Sequence, residues 1–313
     1  MTLRPIRIAT RSSRLALWQA EHVASLLNAT APDVPVEIIH VSTLGDRDLS
    51  APLSSLGAFG VFTREVQRVV LDGQADLAVH SLKDLPTDYV EGLCLGAVPG
   101  RGPVADTLVL PAHANAGLNW ETIPLKARLG TGSLRRQAQL LHARPDLQLL
   151  EIRGNVETRL RKLDAGEFDA IVLAVAGLER LGLAGRITQP LQPPVMFPAV
   201  GQGALGLECR ADDVSLREIL SRISDVQTFM AVTAERALLS DLRAGCHAPL
   251  GVATSFDGDQ LTLEAVVLSP DGASRIHAIA ARSISLAAEL GKVVAGMLRD
   301  QGADALIAAA KVG

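Results

Sequence analysis

Lysine, cysteine and aromatic side chains are all scarce in this 313-residue chain, and each scarcity closes off a class of function. Two Trp, one Tyr and six Phe make only nine aromatic rings, and the formal net charge is -4. A general nucleic-acid binder needs a broad basic face for phosphates and rings for stacking, so no nucleic-acid partner is expected. The three cysteines, Cys94, Cys209 and Cys246, stand far apart with no CxxC and no zinc-ligand spacing. Pairing any two would leave an odd thiol, so a reducing compartment is expected, with no metal site. The longest apolar run, from Ala170 to Leu178, falls well short of the roughly 18 residues of a membrane span. The N-terminus MTLRPIRIATRSSRL carries charge throughout and has no apolar signal-peptide core. These features predict a cytoplasmic protein with no membrane partner. No repeat of solenoid length and no low-complexity tract is present.

With 48% hydrophobic residues over this length, the chain can bury the cores of two or three domains. The first stretch alternates β-rich runs with helical patterns: RIAT, a helix from Ser13 to Ala29, VEIIHV, a helix from Thr63 to Asp72, then ADLAVHS. That order predicts an α/β domain with a mainly parallel sheet. DTLVLP, RLGTGS with its helix, LQLLEIRG with a helix from Val156 to Ala165, and DAIVLAVAGLERLG form a second such set. The Pro- and Gly-rich segment QPLQPPVMFPAVGQGALGLECR reads as a crossing back to the first domain. A helix from Phe229 to Leu242, three β-like runs and a helix from Leu286 to Arg299 then read as a small α+β domain. The expected division is 1–103 with 201–221, then 104–200, then 222–313.

Only five of the thirty basic residues are lysine, which leaves twenty-five arginines. From Lys126 to Lys162, seven arginines and two lysines face three acids, a local balance of +6. Within it, LGTGSLRRQAQLL reads as a strand end, a glycine loop and a helix start, with Ser133 at the N-cap and Arg135 and Arg136 in the first turn. A helix N-terminus already carries partial positive charge and unpaired N–H groups. Two arginines there raise the potential further, which points to a bound anion or to side chains splayed into solvent. An arginine fork matches carboxylates and phosphates in a bidentate way that lysine cannot.

Other polar groups close the predicted strands: Arg11 and Ser13 after RIAT, Ser81, Lys83 and Asp84 after ADLAVH, and Arg153 and Asn155 after LQLLEI. Carboxyl ends of strands are where α/β sheets bind ligands. Each group also has a plainer role, since Ser13 and Asn155 make good N-caps and Asp84 can fix a turn before Leu85-Pro86. Their recurrence in both domains favours a cleft for a polyanion. Asp84, an acid among cations, is a poor anion ligand. A carboxylate in a preorganised, partly dry site would instead stabilise a developing cation. Its neighbour Lys83 could contact an anionic substrate or keep Asp84 ionised. Cys246 sits in RAGCHAPLG, a loop thiol near Arg243, where nearby cations favour the nucleophilic thiolate. Cys94 and Cys209, inside β-like runs, read as small buried hydrophobes.

Taken together, IRIATRSSRLALWQA, GVFTREVQ, ADLAVHSLKDLP, GTGSLRRQAQL, RGNVETRLRKLDAGEFDAIVLAVAGLERLGL, PAVGQGALGLECR and ERALLSDLRAGCHAPLG closely resemble the porphobilinogen deaminase (hydroxymethylbilane synthase) family, over nearly the whole chain. The resemblance implies two α/β domains like the halves of a periplasmic solute-binding protein, plus a small α+β C-terminal domain. It implies a monomeric transferase of haem and tetrapyrrole biosynthesis. Such an enzyme joins four porphobilinogen molecules head to tail, releases ammonia at each step and hydrolyses the product to hydroxymethylbilane. By motif match, Cys246 carries a covalent dipyrromethane cofactor through a thioether, with Ser81, Lys83, Arg135, Arg136 and Asp46 as further cofactor contacts. Asp84 falls at the catalytic carboxylate, and Arg11, Ser13, Gln19, Arg153, Arg159 and Arg180 at substrate contacts.

The segment from Thr43 to Gly60 resembles the family's mobile cover, with Ser55 and Phe59 where many members have lysine. Gly132 stands where a serine is common, which removes one hydroxyl donor. Two rivals remain at this level: a non-catalytic two-lobed anion-binding protein, and a thiol hydrolase or acyltransferase using Cys246. The first leaves Cys246 unexplained, and the second lacks a clearly placed histidine.

Overall fold

The computed structural model describes residues 4–42, 63–88, 90–114, 117–245 and 248–312. The chain divides into two compact units, residues 1–102 with 203–232 and residues 103–202 with 233–313.

In the first unit, β1 (Ile6–Arg11) pairs in parallel with β2 (Val36–Val41) and β3 (Leu77–Ser81). β4 (Leu93–Ala97) and β10 (Leu205–Arg210) complete the sheet in the order β2-β1-β3-β10-β4, with β10 antiparallel to both neighbours. The sheet is therefore mixed, where the β-α alternation predicts a mainly parallel one. The reason is the return of the chain: β10 enters the slot between β3 and β4 from the opposite direction. α1 (Arg14–Thr30) buries Ala20, Val23 and Leu27, spaced for one helical face, and packs on one side of the sheet. α2 (Arg64–Leu71) covers the other side with Val66 and Val70, one turn apart. Each face thus has its own apolar layer, and the strand ends carrying polar residues stay outside it.

The second unit repeats the plan with β5 (Asp106–Val109), β6 (Arg128–Gly130), β7 (Gln148–Leu150), β8 (Ala170–Ala174) and β9 (Gln189–Leu191). Their order is β7-β6-β8-β5-β9, with β6 parallel to β7 and β8 and β5 antiparallel to β8 and β9. α3 (Leu134–Ala143) follows β6, and α4 (Val156–Asp164) follows β7. The apolar run from Ala170 to Leu178 is strand β8 passing directly into helix α5 (Val175–Arg180). The same unit holds an antiparallel sheet of β11 (Leu250–Asp257), β12 (Gln260–Leu268) and β13 (Arg275–Ser283). α6 (Ala287–Asp300) buries Leu290, Val294 and Leu298 as it packs on β12 and β13.

A polar knot ties β5 to α3. Asp106 is fully buried, and its Oδ1 accepts from Arg136 Nη2 at 2.7 Å, Arg136 Nε at 3.1 Å and Gln202 Nε2 at 3.0 Å. Its Oδ2 lies 2.8 Å from Arg135 Nη1. Arg136 Nη1 also donates to Val172 O at 2.9 Å, and Arg135 Nη1 to Phe197 O at 2.5 Å. Burial alone would raise the Asp106 carboxyl, but the attraction of Arg135 and Arg136 outweighs it and holds the group well below the usual carboxylate range.

Because the folded state keeps this proton off, the knot's contribution is present above the unfolded value near 3.9 and is lost only as pH falls through the lower folded value. Asp106→Asn leaves two buried guanidiniums without a counter-charge and should destabilise the chain by about 3–5 kcal/mol. Urea midpoints at pH 7 and pH 4 should both show most of that deficit; a variant as stable as the parent at pH 7 would mean the knot is not a stabilising element.

Candidate functional site

In the first unit, the polar residues at the strand ends surround a recess of about 80 Å³. Arg11 comes from the end of β1, Ser13 and Gln19 from the start and second turn of α1, and Ser81 from the end of β3. Ser13 Oγ accepts from Ala16 N at 3.3 Å, so it caps the helix, its plainer sequence role, while also lining the recess. Gln19, itself buried, donates from Nε2 to Ser81 Oγ at 2.7 Å, which fixes both side chains against the sheet.

Asp84 stands on the 3₁₀ turn Leu82–Asp84 directly after β3. The turn is pinned from below: Leu82 and Leu85 are buried with Val98, Ala204 and Val232, and Leu82 N donates to Ala204 O at 3.0 Å. Gly206 is needed beneath it, since a Cβ there would come within 2.7 Å of Leu82 Cδ1. Asp84 therefore has a rigid base but an exposed carboxylate on the recess wall, where the sequence reading expects a partly dry one. It makes no hydrogen bond or ion pair to any described residue. Lys83 beside it is half-buried.

One lining residue that sequence reasoning missed is His80, which is backed by a buried polar pair. His80 and Glu208 are both buried, His80 Nε2 lies 3.2 Å from Glu208 Oε2, and Gln67 Nε2 donates to both Glu208 oxygens at 3.1 and 2.9 Å. The available signal was a polar residue on the inward face of an otherwise apolar strand, in ADLAVHS and again in LGLECR.

In the second unit, Arg135 and Arg136 sit at the start of α3 as the sequence places them, but they are buried. Neither splayed side chains nor a wholly external anion describes them, because Asp106 supplies an internal counter-charge. It supplies only part: two guanidiniums and one carboxylate sum to +2 − 1 = +1. Burial and the neighbouring Arg136 push the Arg135 guanidinium down, with Asp106 opposing, as expected for a cation only partly compensated. Arg135 Nε and Nη2 make no hydrogen bond to a described residue, so the helix start retains donors and a net charge for an anion. Ser133, at the N-cap, gives no side-chain cap bond, which leaves N–H groups there as well. At Gly132 a Cβ would lie 3.2 Å from Ile152 O, so the glycine gives the loop clearance beside the chain leaving β7.

Arg153 and Arg159 flank the start of α4. Arg153 ion-pairs with Glu151 at 2.6 Å, and Arg159 Nε donates to Gly154 O at 2.8 Å. Gly154 has φ 106°, and a Cβ there would come within 2.7 Å of Thr158 Cγ2, so only glycine lets the turn hold both arginines near the helix start. Asn155 caps the helix by accepting from Thr158 N at 2.9 Å. Arg180, at the end of α5, is half-buried, and desolvation pushes its guanidinium down. Cys246, Asp46, Ser55, Phe59 and the segment from Thr43 to Gly60 lie outside the described residues, apart from which no cluster of metal-ligating side chains occurs among those described. No described helix is long and apolar enough to cross a membrane.

The donor chemistry suits a ligand bearing both carboxylates and N–H groups. Arginine, hydroxyl and amide groups in the recess suit the former, and the Asp84 carboxylate, without a partner among the described residues, can accept from the latter.

Known proteins match the chain over nearly its whole length. Residues 6–218 match the family described as "Porphobilinogen deaminase, dipyromethane cofactor binding domain", and residues 229–300 match "Porphobilinogen deaminase, C-terminal domain". The chain is 45% identical over 309 residues to a porphobilinogen deaminase of Syntrophotalea carbinolica, covering 99% of this chain and 97% of that one. It is 46% identical over 303 residues to one from Xanthomonas campestris pv. campestris, covering 97% and 98%. Among solved structures, the BvgS periplasmic VFT2 domain of Bordetella pertussis aligns with a TM-score of 0.41 at 17% identity, over 71% of this chain and 86% of that one. Matched in both its parts and at full length, the chain belongs to the porphobilinogen deaminase family.

Proposed function

We propose that the chain condenses four porphobilinogen molecules head to tail with loss of ammonia and then hydrolyses the product to hydroxymethylbilane. The observation that carries this reading is Asp84, a carboxylate with no described partner, held on a pinned turn in a recess whose other polar lining includes Arg11, Ser13, Gln19 and Ser81. Cys246 is the proposed anchor for the family's dipyrromethane. When bound, that group supplies the primer on which the chain of pyrroles grows. Arg135 and Arg136 are assigned to its acidic side chains, supported by the uncompensated charge and the donors left at the start of α3. Ser81, Lys83 and Asp46 complete the proposed contacts to it.

Porphobilinogen carries an acetate and a propionate, and Arg11, Ser13, Gln19, Arg153, Arg159 and Arg180 are assigned to hold them. Forked, charge-assisted hydrogen bonds fix the ring and bring its methylene carbon to the reacting position. Asp84 accepts from the pyrrole N–H. As the C–N bond breaks and its electron pair leaves with ammonia, the positive charge that develops on the substrate spreads to that nitrogen, and the Asp84 carboxylate opposes it. A fixed base under Asp84 matters here, because a carboxylate that needs no reorganisation stabilises the charge at the moment it appears. Apart from this role, the proposal includes the cytoplasm as the compartment and a monomer as the working state, with neither nucleic acid nor membrane as a partner; the net charge of -4 supports the absence of a phosphate-backbone partner. A two-lobed binding protein without catalysis is not favoured, since full-length relatives at nearly half identity carry the enzyme's name.

Intact mass of the freshly purified, denatured protein, with mapping of the peptide holding Cys246, should show the added mass of two deaminated porphobilinogen units; an unmodified thiol that stays so after incubation with porphobilinogen would sink the proposal. Asp84→Ala should lower kcat by at least about a hundredfold, the scale of losing one preorganised electrostatic partner, while the mass on Cys246 is retained. Near-parental turnover would remove Asp84 from the reaction. Arg153→Leu should reduce the content of attached cofactor or cut kcat/KM by about ten- to a hundredfold, as expected for one charged hydrogen-bonding group. Unchanged cofactor content together with unchanged kinetics would exclude it from the site.

A further inference from the structure

We propose that Cys94 and Cys209 form an oxidative modification site, at which a two-electron oxidant of the peroxide class joins them in an intrachain disulfide across β4 and β10. The two residues stand 115 apart in sequence, yet they are register partners in the antiparallel β4–β10 ladder, and their Sγ atoms are 3.8 Å apart. Directly opposed residues of an antiparallel pair have Cα atoms about 4.5–5.5 Å apart, inside the window of about 4.4–6.8 Å that disulfides span. The sulfurs therefore need side-chain rotation and a small local adjustment, with no change in strand pairing. The neighbouring Gly96 helps, because a Cβ there would lie 2.8 Å from Cys209 Sγ, and its absence leaves that sulfur space to turn.

The two thiols are unequal, which orders the chemistry. Cys94 is half-buried and Cys209 fully buried, so a small peroxide meets Cys94 first. Burial and the nearby Cys94 push the Cys209 thiol up to about 12, with Asp213 raising it and Arg217 lowering it, so Cys209 is a poor first nucleophile. In the first step the Cys94 sulfur takes one peroxide oxygen, the O–O bond breaks, and sulfenic acid and water result. In the second, Cys209 sulfur attacks Cys94 sulfur, the S–O bond breaks, and the hydroxide leaves with the Cys209 proton as water. Two thiols and one peroxide thus give one disulfide and two waters. Neither cysteine has a part in the proposed condensation, and Cys246 stands outside the pair.

The test is peroxide treatment of the purified full-length chain after removal of reductant, followed by alkylation, non-reducing digestion and peptide mass mapping. The expected product links the Cys94 and Cys209 peptides at about two mass units below their summed reduced masses, one for each hydrogen lost, and a dithiol reductant reverses it. Cys94→Ser, a change at a half-buried position, should leave Cys209 alkylatable after the same treatment. Overoxidation of Cys94 to a sulfinic acid with Cys209 still a thiol, pairing of either residue with Cys246, or two thiols that remain alkylatable would each overturn the proposal. The mapping reads the parent protein directly, so it stands whether or not the variant folds.

Discussion

A single buried carboxylate holding two guanidiniums sets the terms for the second unit. Asp106 has no access to water, and its ionised form survives only because Arg135 and Arg136 face it from the first turn of α3. The same contacts fix the position of that turn relative to β5, while Gln202 and the carbonyl groups of Val172 and Phe197 take the remaining geometry. Buried ion pairs often contribute little net stability compared with apolar packing, yet losing one partner is costly. What this one gains is placement: two arginines are held rigid at a helix start with one positive charge left over. A surface pair of arginines would offer more charge but would lose side-chain entropy each time it gripped a ligand.

The first unit solves the opposite problem. There an acid is held still without being neutralised by a described residue, and the means is mechanical. Leu82 and Leu85 anchor the turn in an apolar layer, Gly206 clears room for Leu82, and Asp84 is left without a described partner. Fixing the base while leaving the carboxylate without a partner among the described residues separates packing from the role proposed for Asp84.

Much of this was legible from local sequence. Ser13 and Asn155 cap the helices they precede, and the RIAT, VEIIHV and ADLAVHS runs become neighbouring strands. These are properties of a few consecutive residues, where propensity and period decide the outcome. The strand ends also bring Arg11, Ser13, Ser81 and Asp84 to one recess, as their positions after successive strands imply. What escaped depended on distant partners. The internal counter-charge of Arg135 and Arg136 escaped because Asp106, thirty residues before Arg136, lies on a separate element, β5. Cys94 and Cys209 looked like isolated hydrophobes because register between β4 and β10 is not written in either strand alone. The mixed character of the sheets, likewise, follows from the direction in which the chain returns.

That return also bears on the order in which the chain can fold during synthesis. β10 belongs between β3 and β4, yet it is made only after the whole of residues 103–202. Until Leu205–Arg210 leaves the ribosome, the facing edges of β3 and β4 have no strand between them, and the apolar positions that Leu207 and Cys209 will fill stand open. Unpaired strand edges beside exposed apolar surface are where nascent chains associate wrongly. The nascent first unit is thus exposed for the time it takes to make the intervening segment. Its closure is a non-local event, which contact-order reasoning places among the slow steps of folding.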